Sequence, residues 1–277
     1  MAAGAGPRPP AYDSGRVELH LTGQRAFVTG GSRGIGLGIA RRLADEGVQV
    51  SICARDPRGL EDAVRAAAEA GVTLHPYQAD VTDATALAAA IARAAEDRGG
   101  LDLLVANAGG SRGGGLQTST AQDWLDTMSL NVVHAATAIR AAVPWLQASG
   151  HGAALVIASI SGWKPRTTSS YSVAKAAEIH LAPALAVELA RERIRVNTLS
   201  PGAVEFDGGR WAATRAADPE AHERFVADNL PAGRFVTVDE VADVACFLLS
   251  RRAAGINGAH VPVDGCQDRP TDRPVYP

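Results

Sequence analysis

The chain has 277 residues, 46% hydrophobic and 21% charged, with 27 basic against 30 acidic side chains and a formal net charge of −3. Such a composition buries an ordinary globular core and supplies no polycation to hold a phosphate backbone, so nucleic acid is not an expected partner. No run of about 18 apolar residues is present and the first twenty residues lack a continuous apolar stretch, so the expectation is a cytoplasmic protein without a membrane partner. Cys53, Cys246 and Cys266 lie far apart with no C-x-x-C pair, and the seven histidines show no ligand spacing; neither a disulfide scaffold nor a metal site is expected. Of the 27 basic residues only Lys164 and Lys175 are lysine, which singles out both positions.

Residues 1–20, with Gly4, Gly6, Pro7, Pro9 and Pro10, read as a mobile tail, and 268–277, with Pro270, Pro274 and Pro277, as a second. Between them the spacing predicts strands at Arg25–Thr29, Val48–Cys53, Thr73–Gln78, Leu101–Ala106, Ala154–Ala158, Ile194–Leu199 and His260–Val263. Helical patterns alternate with them at Gly34–Glu46, Arg58–Ala70, Thr85–Arg98, Ala121–Gln147, Ser172–Arg193 and Val238–Leu249. Strand then helix, repeated, implies right-handed crossovers and a single-domain α/β Rossmann fold at 21–267: a doubly wound parallel sheet of about seven strands with helices on both faces. The interval Glu205–Arg234 breaks the alternation and carries Gly208, Gly209, Pro219 and Pro231, the marks of a substrate loop or lid.

Directly after the first strand stands Thr29-Gly30-Gly31-Ser32-Arg33-Gly34-Ile35-Gly36, and a helix follows. Glycines there permit a tight turn and close backbone approach to a pyrophosphate, while the helix N-terminus favours negative charge. Strand, turn and helix in this order point to dinucleotide binding. Gly30, Asn107, Ser159 and Pro201 each fall at or just past the end of a different predicted strand. In an open parallel sheet those ends line one edge, where ligands bind. Tyr171 and Lys175, four apart on a predicted helix, share a face. With four tyrosines and two lysines in the chain, chance supplies roughly 0.03 such pairs. An ammonium there favours the phenolate and moves a tyrosine toward the range where it can give and take a proton, which makes Tyr171 an acid/base candidate and Lys175 its tuner.

The glycine spacing T-G-x-x-x-G-x-G, Asp80-Val81, Asn107-Ala108-Gly109, Asn131, Ser159, Tyr171-Ser172-Val173-Ala174-Lys175 and Pro201-Gly202 occur in the order of the classical short-chain dehydrogenase/reductase family, which the chain resembles from about Leu21 to Gly265. Within that family it looks like the 3-oxoacyl-carrier-protein reductases. The resemblance implies a catalytic set of Asn131, Ser159, Tyr171 and Lys175. It implies cofactor contacts from Gly30, Ser32, Arg33, Gly34, Ile35, Gly36, Arg55, Asp80, Val81, Asn107, Ala108, Gly109, Tyr171, Lys175, Pro201, Gly202 and Val204. Lys175 would also bond the nicotinamide ribose, and Ser159 would donate to the substrate oxygen where charge develops. Asn131 has two readings: it holds a water linking Lys175 to solvent, or it bonds the backbone of its own helix. The interval from Ser159 to Tyr171 is one residue shorter than is usual in the family; Ser161 is the rival, and Gly162 favours Ser159. Phe206 stands where the family commonly has a threonine for the nicotinamide carboxamide.

The second strand ends Cys53-Ala54-Arg55-Asp56, with neutral Ala54 where a ribose-binding acid is expected. Arg33 adds a second guanidinium, so NADP(H) is expected over NAD(H). Asp56 either pairs with Arg55 or Arg58 or reaches the ribose. Trp163, Arg166, Phe206, Trp211 and Phe225 lie where the family walls its pocket, or simply pack the lid; Arg112 and Arg166 could meet an anionic group. The expected activity is reduction of a ketone to a secondary alcohol, or the reverse, on a small-molecule carbonyl or alcohol. The substrate class includes 3-oxoacyl thioesters and secondary-metabolite intermediates. Competing readings are a non-redox dinucleotide-binding regulator and an epimerase or dehydratase using bound nicotinamide transiently. The resemblance further implies a homotetramer or homodimer joined through the predicted helices Ala121–Gln147 and Ser172–Arg193.

Overall fold

The structure, a computed structural model, describes residues 18–164 and 168–267. Both predicted tails and Arg166 thus fall outside the described residues, apart from 18–20, where Leu19 packs against the core. Strands β1 (Arg25–Thr29), β2 (Gln49–Ala54), β3 (Leu74–Gln78), β4 (Leu103–Ala106), β5 (Ala153–Ile157), β6 (Arg195–Pro201) and β7 (His260–Val263) form one sheet in the order β3-β2-β1-β4-β5-β6-β7. Every pairing is parallel. The chain order reverses between β1 and β4, which opens a crevice outside the carboxyl ends of these two strands.

Along each central strand successive side chains enter opposite cores, as the pleat requires. Val28, Val50, Ile52, Leu103, Val105 and Leu155 join one cluster, and Phe27, Cys53, Leu104, Ala106, Ala154 and Val156 the other. Helices α1 (Gly34–Asp45), α2 (Pro57–Glu69) and α9 (Val238–Leu249) cover the first face through Ile39, Leu43, Leu60, Val241 and Leu248. Helices α3 (Ala84–Arg98), α5 (His134–Ser149) and α6 (Ser169–Glu188) cover the second through Leu87, Ile91, Ile139, Leu146 and Ala182. Both faces are therefore dry, and only the sheet's ends can meet a ligand.

Local signals set most element boundaries. The Asp56 carboxylate accepts from the Arg58 amide at 3.1 Å and Pro57 follows it, so α2 starts there. Thr237 and Glu240 form a capping box at α9, whose span matches its prediction residue for residue. The predicted helix Ala121–Gln147 is interrupted: α4 (Ala121–Met128) and α5 are joined by a π-helical turn, Ser129–Val133. The predicted helix Ser172–Arg193 starts at Ser169 and stops at Glu188, because the chain turns through Arg193 at φ +58° to enter β6. The interval Glu205–Arg234 contains two short helices, α7 (Arg210–Ala217) and α8 (Pro219–Asn229), the second capped by Asp218.

Candidate active site

The crevice begins with the turn after β1. Gly34 adopts φ +55°, a conformation that side-chain-bearing residues avoid. A Cβ on Gly36 would stand 2.3 Å from the Gly30 carbonyl oxygen and 2.4 Å from Asn107 Nδ2, so only glycine fits there. Arg33, which precedes α1, makes no side-chain cap, leaving the first amides of this helix directed into the crevice. An uncapped helix N-terminus behind a glycine turn fits the pyrophosphate of a dinucleotide.

Across the switch point Asn107 secures this turn. Its Nδ2 donates to the carbonyls of Thr29 at 3.0 Å and Gly30 at 3.2 Å. In return Thr29 Oγ1 accepts from the amides of Asn107 and Ala108 at 2.9 and 3.1 Å. The sequence motif contains Thr29, yet the role of its hydroxyl is not visible in the sequence, because both its partners are remote in the chain.

Beyond the turn lies a cleft of about 680 Å³ lined by Ser32, Arg33, Ala54, Arg55, Asp80 and Val81, among others. Arg55 is 71% exposed, with Nη1 3.8 Å from Asp80 Oδ2. Asp80 accepts from the amide and hydroxyl of Thr82, which hold its carboxyl below the usual carboxylate value with smaller help from Arg55 and Arg112. Asp56 caps α2 through Oδ1 and also lines this cleft, with no ion pair to Arg55 or Arg58 among the described residues. The cleft therefore presents Arg33 and Arg55, neutral Ala54 at the end of β2, and the carboxylates of Asp56, Asp62 and Asp80.

The other half of the edge lies at β5 and α6. Ser159 follows β5, and its Oγ accepts from the Ser161 amide at 3.1 Å. Tyr171 is half-buried and Lys175 fully buried on α6, with the ammonium 5.6 Å from the centroid of the tyrosine ring. Lys175 Nζ donates to the Ile157 carbonyl at 3.0 Å, fixing the lysine at the carboxyl end of β5. It also meets Glu178 Oε2 at 2.8 Å, an ion pair that sequence reasoning misses although the residues stand three apart on one helix. Burial works against the ammonium, but the Glu178 carboxylate and Tyr171 outweigh it and hold Lys175 above the ordinary lysine value.

Asn131 sits in the π-helical turn, a feature frequent at functional sites. Its Nδ2 donates to the Gly110 and Thr127 carbonyls, each at 2.7 Å, and its Oδ1 accepts from the Gly110 amide at 3.2 Å. The side chain thus bonds its own helix backbone at Thr127 and clamps the segment after β4 at Gly110. A Cβ on Gly109 would stand 2.7 Å from Asn131 Oδ1 and 3.0 Å from Lys175 Nζ, so this glycine lets the two groups flank one space.

Pro201 and Gly202 end β6 and begin the next loop, which is tied down from the C-terminal side. Gln267 Oε1 accepts from the Ala203 amide at 2.6 Å, and Val204 bridges to Val236. Lys164 holds that segment through Asp264 at 2.9 Å and the Gln267 carbonyl. Both lysines of the chain accordingly lie at this edge of the sheet. Phe206 closes over the glycine turn, its ring atoms 2.7 Å from where a Gly34 Cβ would sit. Trp211 and Phe225, candidate pocket walls, pack on each other at 4.0 Å and with Phe235 inside the α7–α8 unit, which is the lid-packing alternative. Trp163 is 43% exposed and lies edge-on to His260. Among the described residues no helix is long and apolar enough to cross a membrane.

A glycine turn at the switch point, an uncapped helix N-terminus and a tyrosine–lysine helix at one sheet edge define a dinucleotide-binding protein of the Rossmann class. A family model described as enoyl-(acyl carrier protein) reductase matches residues 30–266. The chain is 34% identical over 243 residues to the 3-oxoacyl-[acyl-carrier-protein] reductase MabA of Mycobacterium tuberculosis, covering 86% of this chain and 90% of that protein. Among solved structures, a variant of actinorhodin polyketide ketoreductase with NADPH is 33% identical, with a TM-score of 0.82 over 88% of this chain and 96% of that one. A 7α-hydroxysteroid dehydrogenase complexed with NADH and 7-oxo glycochenodeoxycholic acid is 27% identical, with a TM-score of 0.83 over 90% and 96%. The chain belongs to the classical short-chain dehydrogenase/reductase family and is an NAD(P)-dependent oxidoreductase.

Proposed function

We propose that the protein reduces a ketone to a secondary alcohol with NADPH, or runs the reverse oxidation with NADP, in one catalytic domain spanning 21–267. The observation that carries this reading is the Tyr171–Lys175 pair: a half-buried phenol beside a buried ammonium that is anchored to the strand end next to Ser159. Bound nicotinamide supplies or accepts the hydride. Tyr171 protonates the carbonyl oxygen as it gains charge, and Lys175 biases the phenol toward that exchange. Ser159 donates to the same oxygen and orients it. The space beside Gly109, between Asn131 and Lys175, is the route by which the pair exchanges protons with solvent. Gly30, Ser32, Gly34, Ile35 and Gly36 cradle the pyrophosphate, Asp80 and Val81 meet the adenine end, and Asn107, Ala108, Gly109, Pro201, Gly202 and Val204 shape the nicotinamide end.

Preference for NADP(H) is supported by Arg33 and Arg55 at the rim of the cleft and by neutral Ala54 at the end of β2. The 205–234 unit serves as the substrate lid, with Phe206 presenting an apolar ring in place of a hydroxyl. Substrates of the 3-oxoacyl or polyketide type are supported by the named activities of MabA and the actinorhodin enzyme. A homo-oligomer joined through α4–α5 and α6 is supported by exposed Leu125 on α4, Val133 in the π-helical turn and Val173 and Val187 on α6; the protein is read as cytoplasmic. The test is binding of NADPH and NADH to the purified protein, then oxidation of NADPH against ketones, quinones and 3-oxoacyl thioesters. Selective NADPH binding with turnover is expected; tight NADPH binding without turnover on any of them would turn the reading to the non-redox alternative.

A further inference from the structure

The Lys175–Glu178 ion pair is the feature of this edge that the reaction above does not use. Its two side chains are 3% and 1% exposed, and Nζ and Oε2 stand 2.8 Å apart. Burying a carboxylate this deeply is costly unless a cation faces it, so Glu178 is bound to Lys175 as firmly as Lys175 is to it. Burial pushes the Glu178 carboxyl above the usual range, and the Lys175 charge opposes that rise. The ammonium donates to the Ile157 carbonyl, and Glu178 Oε2 stands against the same nitrogen as an ion-pair partner without hydrogen-bond geometry.

Charge decides what this arrangement does to Tyr171. A bare buried ammonium beside a phenol strongly favours the phenolate. With Glu178 ionised, the Lys175–Glu178 pair carries no net charge, and Tyr171 faces a dipole in place of a cation. Among the described residues, other elements bring no unpaired charge against that balance. Helix α5 brings His134, which burial keeps neutral with a value lowered to about 4. The described part of the turn after β5 brings the hydroxyls of Ser159 and Ser161 and Lys164, whose charge is paired with Asp264. On α4, Asp123 is bonded to Thr120 and Asp126 to Gln122 at the exposed side.

We propose that Glu178 is a positioning residue for the Tyr171–Lys175 pair: it orients the ammonium and offsets its charge, so that Tyr171 keeps its proton to higher pH than lysine alone would permit. The consequence is functional. A tyrosine that stays protonated favours reduction, in which it gives its proton away; this inference rests on the reductase reading for its meaning but not for its test.

The test is an ultraviolet titration of the Tyr171 phenolate band, isolated by subtracting the Tyr171→Phe protein from each background. Replacing Glu178 by Gln removes the charge at nearly constant shape. The phenolate midpoint is expected to fall by about one pH unit or more, equivalent to a tenfold change in the proton equilibrium. Glu178→Asp keeps the charge but withdraws it by one methylene, and is expected to move the midpoint the same way by less. Circular dichroism and NADPH binding check that each variant is folded; if the Gln protein does not fold, the direction in which the Asp protein moves decides. An unchanged or raised midpoint in the folded variants overturns the proposal, since Glu178 would then be only a packing group, or Lys175 would release the first proton. In turnover the pH above which reduction declines should fall by the same amount. Absence of turnover in the unmodified protein would sink the reductase reading while leaving the titration to judge Glu178.

Discussion

Thr29 and His134, 105 residues apart in the chain, share a buried hydrogen bond of 2.9 Å between Oγ1 and Nε2. This bond fixes the histidine's proton. Thr29 Oγ1 already accepts from the Asn107 and Ala108 amides, so it donates to Nε2. At the other side of the ring Nδ1 stands 3.1 Å from the Asn131 carbonyl and must be the protonated nitrogen. One hydroxyl and one imidazole thereby connect the end of β1, the end of β4 and the π-helical turn that carries Asn131.

Removing the Thr29 hydroxyl takes away the partner of two part-buried amides and of a buried ring nitrogen. Thr29→Val, nearly identical in shape, is expected to lower stability by about 3 kcal/mol, at roughly 1–3 kcal/mol for a buried polar group left unsatisfied. Thr29→Ser keeps the hydroxyl and should lose about 1 kcal/mol for one buried methyl. Urea unfolding at constant m-value measures both. Equal losses would mean that the methyl, not the hydroxyl, holds this junction.

His134 also gives the fold a defined acid sensitivity. Burial lowers its value from 6.5 to about 4, with the nearby Lys175 acting in the same direction and the Asn131 carbonyl opposing. Between these two values the unfolded chain binds a proton that the folded chain refuses, so stability falls as pH drops from 6.5 toward 4. The contribution reaches about 3 kcal/mol at most, since a tenfold change in a proton equilibrium corresponds to about 1.4 kcal/mol. His134→Gln removes the titrating group; its stability should be lower at neutral pH but decline less steeply through this window. Parallel slopes in the two proteins would mean that His134 takes up its proton while folded.

Arg55 stands at the rim of the nucleotide cleft, its guanidinium 71% exposed with a 3.8 Å approach to Asp80, and Arg33 is exposed beside the glycine turn. A guanidinium–phosphate contact contributes about 1.5–3 kcal/mol, so Arg55→Ala should raise the NADPH Kd by about tenfold or more. Its effect on NADH should stay within about twofold. The double replacement with Arg33→Ala should widen the gap further. Parallel weakening of both cofactors would remove the case for a phosphate contact.

Where local chemistry marks an element, the sequence is sufficient. Thr237 followed by Glu240 announces α9, and Gly30 to Gly36 announce the turn that the structure places at the switch point. The π-helical turn is not legible, because five residues of wider winding do not disturb an apolar pattern that runs from α4 into α5. Helix α8 carries a signal, Asp218 before Pro219, hidden among the glycines and prolines around it. At the site, Tyr171 and Lys175 are visible by their spacing. Glu178 shares that helix, but spacing alone cannot tell a buried ion pair from a solvated one. The partnership of Thr29 with His134 depends on how two distant strands and a helix meet, which no local pattern encodes.

Tyr171→Phe separates binding from chemistry. The phenylalanine ring retains the volume that packs 5.6 Å from the Lys175 ammonium, and the lysine keeps its bond to Ile157 and its ion pair with Glu178. Tyr171 is not among the residues lining the nucleotide cleft that runs from Arg33 to Asp80, so the NADPH Kd should stay within about twofold. Turnover loses its proton donor, and kcat should fall by about 10²–10⁴-fold, the usual scale for general acid–base groups. Fluorescence titration with NADPH and steady-state rates on the best ketone give the two numbers separately. If kcat survives, the proton comes from another group and Ser159 becomes the candidate; if binding is lost in parallel with kcat, Tyr171 serves the cofactor and not the carbonyl.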